Sequence, residues 1–126
     1  MKKPSPMLLA LYERCLIGSL LACEINAREL TVEANDFSDV KARRLFVLIA
    51  EMAEDGVLEY PTAARAVSAA LDGVEYGVQL QAYLAEAYVD FVSRVNALTY
   101  DRIIAAEGQE RRDRRALAAQ IAGRAA

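Results

Sequence analysis

Arg111, Arg112, Arg114 and Arg115 are the densest group of chemistry-bearing side chains in the sequence. Guanidinium groups so closely spaced could clamp an acidic protein surface or a phosphate backbone. Glu107, Glu110 and Asp113 are interleaved with them, however, so much of the positive field is neutralised and a solvated helix face is the simpler reading. The whole chain carries a net charge of −3, without the basic footprint of a domain that binds duplexes by releasing counterions.

Material for catalysis is scarce. Histidine is absent, which removes the commonest general base, the usual zinc ligand beside cysteine, and any histidine-activated serine or cysteine nucleophile. The cysteines, Cys15 and Cys23, share one apolar run. Along a helix they would lie about 12 Å apart, too far for a disulfide, so both are expected as reduced core residues. Gly18, Gly56, Gly73, Gly77, Gly108 and Gly123 never cluster as a phosphate-cradling loop. Carboxylates such as Glu51, Glu54 and Asp55 are expected on solvated helix faces. No catalytic residue, metal site or cofactor is assigned.

The elements that carry these residues follow from length and periodicity. A chain of 126 residues that is 55% hydrophobic and 26% charged can bury one real core and still present a solvated surface. The apolar stretch 7–23 is interrupted by Tyr12, Glu13 and Arg14, so neither a membrane span nor a signal peptide is expected, and a cytoplasmic protein is. Leu9, Tyr12, Leu16, Ser19 and Leu20 recur at helical spacing over this stretch, with Leu8, Cys15 and Leu21 widening the stripe. Residues 25–30 are expected to add a short helical piece. Asp36, Ser38 and Asp39 supply cap oxygens for a second helix, which ends at Gly56. Val40, Leu45, Leu48, Ile49 and Met52, helped by Phe46, are its expected buried face, with Lys41, Arg43, Arg44, Glu51 and Glu54 towards water.

Further helices are expected at 61–72, opened by Pro61 and closed by Gly73, and at 78–89. Ala64, Val67, Ala70 and Leu71 form the core side of the former, and Leu80, Tyr83, Leu84 and Ala87 that of the latter. After a break near 91–94 the pattern resumes at Val95 with Leu98, Ile103 and Ile104. Between Ile104 and Leu117 no large apolar residue occurs, while Glu107/Arg111 and Glu110/Arg114 form helix-supporting pairs. The fold expected is all-α: a compact multi-helix orthogonal bundle, residues 1–106, with a projecting charged C-terminal helix, residues 107–126. Its core should include Leu16, Gly18, Leu21, Phe37, Leu45, Phe46, Ile49, Tyr83 and Leu84.

With the helices in place, the segments ERCLIGSLL (13–21), Asp36-Phe37, ARRLFVLIAEMAEDG (42–56), YLAE (83–86) and NALTYDRII (96–104) together resemble, in order and spacing, the N-terminal domain of the DnaB-type bacterial replicative helicase. The resemblance spans almost the whole chain. It implies a non-catalytic helical domain that self-associates, builds the collar of a ring-shaped hexamer and docks the C-terminal domain of primase in DNA replication. ATPase and translocation in that family belong to a separate motor, which is not expected in this chain. Two departures limit the carry-over. Residues 107–115 are charged where the family leads into an apolar helical hairpin for dimer packing, and 57–77 is short, so surfaces built there do not transfer.

The partner-binding surface is therefore expected on the last helix, at Tyr100, Ile103, Ile104, Arg111, Arg112 and Arg115. Exposed Tyr and Arg are the residue types in which interfaces concentrate their energy. Direct nucleic-acid or membrane binding is not expected. Two other functions stay open on the residues alone: a free-standing helical regulator or decoy that binds helicase or primase, and a small helical enzyme built from arginine and carboxylates.

Overall fold

The computed structural model describes residues 3–125 and the surroundings of side chains 3–124. Among the described residues there are α-helices and 3-10 turns and no strand. Helix α1 spans Pro6–Leu21, α2 Val40–Glu54, α3 Ala63–Ala70, α4 Gly77–Val89 and α5 Arg94–Ala125. The 3-10 turns Ala27–Glu29 and Ala34–Asp36 lie in the connection between α1 and α2. The all-α bundle with a projecting last helix is thus observed. No helix of the described residues is long and apolar enough to cross a membrane.

Helix α1 is the central element, packed against α2, α4 and α5. Ser5 caps it by accepting from the Leu8 amide at 3.1 Å, and Pro6 occupies the first turn, where a missing N–H costs nothing. Gly18 explains the closeness of α4: a Cβ there would fall 1.9 Å from the Ala87 carbonyl oxygen. Ser19, fully buried one residue later, accepts from the Val92 amide at 2.9 Å and so ties the α4–α5 connection to the middle of α1.

The core is formed by Leu16, Ile17 and Leu21 of α1, Phe37 before α2, Leu45 and Ile49 of α2, Val67 of α3 and Ile104 of α5. Leu16, Gly18, Leu21, Phe37, Leu45, Phe46, Ile49, Tyr83 and Leu84, the residues named for the core, are all buried. Each such side chain contributes roughly 1.5–3 kcal/mol of transfer free energy. Phe37 and Phe46 stand with ring centroids 5.0 Å apart, tilted by 38°, an arrangement worth more than its area alone.

Several expectations need correction. Val40 is 59% exposed, because it lies about 140° around the helix from Leu45, outside the face that Ala42, Leu45, Phe46 and Ile49 define. Arg43, expected in water, is half-buried and donates to the Phe37 carbonyl at 3.1 Å. Pro61 does not open α3. It sits in a turn closed by the Thr62 amide donating to the Glu59 carbonyl at 2.9 Å, and the helix begins two residues later. On α3, Ala63 rather than Ala70 faces the core. Cys15 is buried as expected, but Cys23 is exposed, in a left-handed conformation with φ 58° just past α1.

Truncation of Phe46 to Ala should cost about 3–5 kcal/mol, the usual range for an aromatic removed from a packed core. Denaturant unfolding measures this, and a loss under about 1 kcal/mol would place the ring outside the core.

Candidate interaction surface

Helix α5 behaves as two halves. In the first, Ala97, Asp101, Ile104 and Gly108 recur at four- and three-residue spacing and are buried against the body. Asp101 is 2% exposed, and its carboxylate accepts from the Thr31 amide at 3.0 Å, the Thr31 hydroxyl at 2.9 Å and the Val32 amide at 2.9 Å. Gly108 lets the helix touch the 3-10 turn Ala34–Asp36, since a Cβ there would lie 2.6 Å from the Asp36 Cα. Just beyond it, Arg112 donates to Asp36 Oδ1 at 2.6 Å and Arg111 to the Asp36 carbonyl at 2.6 Å. Asp36 also accepts from the Glu33 amide at 2.8 Å. Lys3 pairs with Glu110.

From Asp113 to Arg124 every residue is exposed. The helix therefore leaves the body after Arg112, later than residue 107, because polar contacts continue the docking after the apolar residues end. The freed half carries Leu117 and Ile121, each 57% exposed and one helical turn apart.

The six expected partner-binding residues are thus divided. Ile104 is fully buried core and offers nothing to a partner. Arg111 and Arg112 serve the fold by holding the Asn35-Asp36 turn. Tyr100 stacks on Tyr12 at 4.4 Å, with the rings 20° apart, and is only half available. Ile103 lines a cleft, and Arg115 alone is fully presented to solvent. Tyr100, Ile104, Arg111 and Arg115 share one side of the helix, and what divides the six is how far the body covers each of them.

A second apolar surface lies on the opposite side of the sequence. Met7 is 84% exposed, and Leu8, expected to widen the buried stripe, is more than a third exposed, as is Leu11. Together with Ala10, Arg14, Asp39 and Tyr83 they line a groove of about 610 Å³ between α1, the start of α2 and α4. Leu8 also forms the edge of a neighbouring cleft of about 420 Å³, which Tyr12, Ile103 and Ala106 share. Arg14 is bound to Asp90 at 2.7 Å. Tyr83 lines the groove, but its hydroxyl is fully buried, without a hydrogen-bond partner among the described residues. Burial pushes its pKa up, and the Asp39 and Glu13 carboxylates add to the effect.

A third cavity, of about 270 Å³, lies beside the C-terminal end of α1 and contains Cys23, Glu24 and an Arg94–Glu29 ion pair. No group of three or more metal-ligating side chains gathers among the described residues.

Sequence reasoning missed the buried carboxylates. Glu13, fully buried, accepts from the Ser38 amide at 3.0 Å, the Ser38 hydroxyl at 2.6 Å and the Asp39 amide at 3.0 Å, so α1 caps the entry to α2. The available signal was a lone acidic residue inside an apolar helical run, read only as an interruption.

The division of the arginines is testable by unfolding. Asp36→Ala should cost about 1–3 kcal/mol, discounted because Arg112 is 40% exposed, and should speed amide exchange in the docked part of α5. Arg115→Ala should stay within about 0.5 kcal/mol of the parent. Equal effects would show that the helix leaves the body elsewhere.

Comparison with protein families, with curated proteins and with solved structures gave no match to the chain, so the geometry itself must carry the functional reading.

Proposed function

We propose that the chain is a non-catalytic protein-interaction domain of the kind found at the N-terminus of replicative DNA helicases, acting in the cytoplasm. Its helical body is a platform, and the free half of α5 is the element offered to other chains. Those chains are helicase subunits, in collar assembly, and the C-terminal domain of primase.

The observation that carries the reading is the fully exposed segment of α5 after Arg112, with Leu117 and Ile121 on its surface. A helix standing free in water gains no packing energy from its own domain. Its apolar residues gain free energy only when another chain covers them. The arginines Arg114, Arg115 and Arg124 flank these residues and favour an acidic partner.

Removal of residues 113–126 tests this without disturbing the docked half. Titration with the primase C-terminal domain should show affinity reduced at least about tenfold, with the melting temperature of the body nearly unchanged. Binding by the intact chain should weaken as salt rises, since exposed charges are screened within about 8–10 Å at physiological ionic strength. Unchanged affinity after truncation would remove the proposal.

The pure chain should neither bind nor hydrolyse nucleoside triphosphates, as checked by calorimetry and phosphate release. Hydrolysis abolished by substituting one residue of this chain would overturn the non-catalytic assignment.

A further inference from the structure

The docked half of α5 is held in two different ways. Up to Ile104 its inward row is Ala97, Asp101 and Ile104, all buried. Ala105 still packs partly against the core, but among residues 106–112 only Gly108 is buried, and it has no side chain. On the α1 side this stretch borders an open cleft of about 420 Å³ at Ala106 and Glu107. Its hold on the body is therefore polar: Arg111 on the Asn35 and Asp36 carbonyls, Arg112 on the Asp36 carboxylate, and Lys3 on Glu110. The Arg112 and Lys3 side chains are 40% and 56% exposed, and ion pairs so open to water contribute little each.

The same residues have other partners on the helix itself. Glu107/Arg111 and Glu110/Arg114 are i,i+4 pairs in the favourable order. Docking forgoes both, since it turns Arg111 to the carbonyls and Glu110 to Lys3. Lifting this stretch from the turn exchanges one set of polar contacts for another. Nor does it strand a buried charge. Asp36 is covered by α5 at Gly108, so the movement that removes Arg112 also admits water to the carboxylate, which keeps the Glu33 amide. Arg112 lies about 12 Å beyond Ile104 along the axis, so a bend of about 15° just past Ile104 carries it about 3 Å from Asp36 and breaks the contact.

We infer that residues 106–112 form a helical strap with two seats: closed on the Asn35-Asp36 turn, and open, lifted from it with Glu107/Arg111 and Glu110/Arg114 paired along the helix. The closed strap is an autoinhibitory contact. It keeps Arg111 and Arg112 from joining Arg114 and Arg115, so an acidic chain competes with the turn for them and binds the open form better. This regulation deepens the reading of the tail as an element offered to acidic partners and rests on it for its use.

Nuclear magnetic resonance of the full chain reads both seats. Gly108→Ala forces the strap off, because its Cβ would fall 2.3 Å from Asp36 Oδ1. Asp36→Asn keeps an acceptor for the Glu33 amide and turns a donor towards Arg112. Away from each substitution, both variants should move the resonances of 33–37 and 106–112 towards one common second state. Those of 97–104 should stay in place, and the Cα shifts of 106–112 should stay helical. Adding Glu107→Gln to Asp36→Asn should move the resonances back towards the parent, about halving the open-to-closed ratio, the value of one such pair. Poly-L-glutamate should draw the parent towards the same second state and bind Gly108→Ala at least about threefold more tightly, since no closed seat competes.

Shifts confined to the neighbourhood of each substitution, coil values in 106–112, or a Glu107→Gln step in the opposite direction overturn the strap. Poly-L-glutamate that binds the parent without moving the 33–37 resonances, or binds the variants no better, overturns the autoinhibition. Titration with the primase C-terminal domain separates the two readings: a chain that opens as described but does not bind primase loses the helicase-type assignment and keeps the strap.

Discussion

The connection between α1 and α2 depends on burying negative charge among backbone amides. Residues 22–39 contain only short 3-10 turns, so their amides cannot satisfy one another as they would in a helix. Glu13 from α1 takes the amides of Ser38 and Asp39, Asp101 from α5 takes those of Thr31 and Val32, and Asp36 takes that of Glu33. Isolated, each carboxylate would be costly to bury. With two or three donors apiece, the hydrogen bonds are charge-assisted and offset the cost. The connection becomes a rigid spacer that fixes α2 and α5 relative to α1.

That arrangement sets the direction of the projecting helix. Asp101 locks the first half of α5 to the connection, and Gly108 lets the helix axis pass close to Asp36. Arg111 and Arg112 then clamp the same turn. A helix fixed at so many points has already met its nucleation cost, and each further residue needs only to propagate. Ala, Arg, Gln and Leu, which dominate the tail, are good formers for that purpose. The free segment is thus helical by propagation from the docked half of α5.

How far the sequence foretold this follows from what periodicity can report. Apolar spacing locates buried faces, and it placed the nine named core residues from Leu16 to Leu84, while the cap oxygens before Val40 and Gly56 bounded α2. It is silent on polar burial. Glu13, Asp36 and Asp101 carry the same letters as solvated acids, and only the fold brings amides to them. The same limit explains the misplaced partner residues: Arg111 and Arg112 occupy the inward row that Ala97, Ile104 and Gly108 begin, but a charged run conceals that row. Leu8 errs the other way, as an apolar residue left uncovered because the first turns of α1 bury Leu9 alone and the helix is covered on most sides only from Glu13 onward.

These placements also separate folding reasons from functional ones. Glu13, Gly18, Asp36, Phe37 and Asp101 each have a structural task inside this molecule. A capped helix entry, a close helix crossing and a pinned connection would be required of this fold whatever it binds. Such residues therefore report on the fold and not on what it binds. The apolar residues that the fold leaves uncovered include Met7, Leu8 and Leu11 at one end of the sequence and Leu117 and Ile121 at the other, and no packing need of this molecule accounts for them.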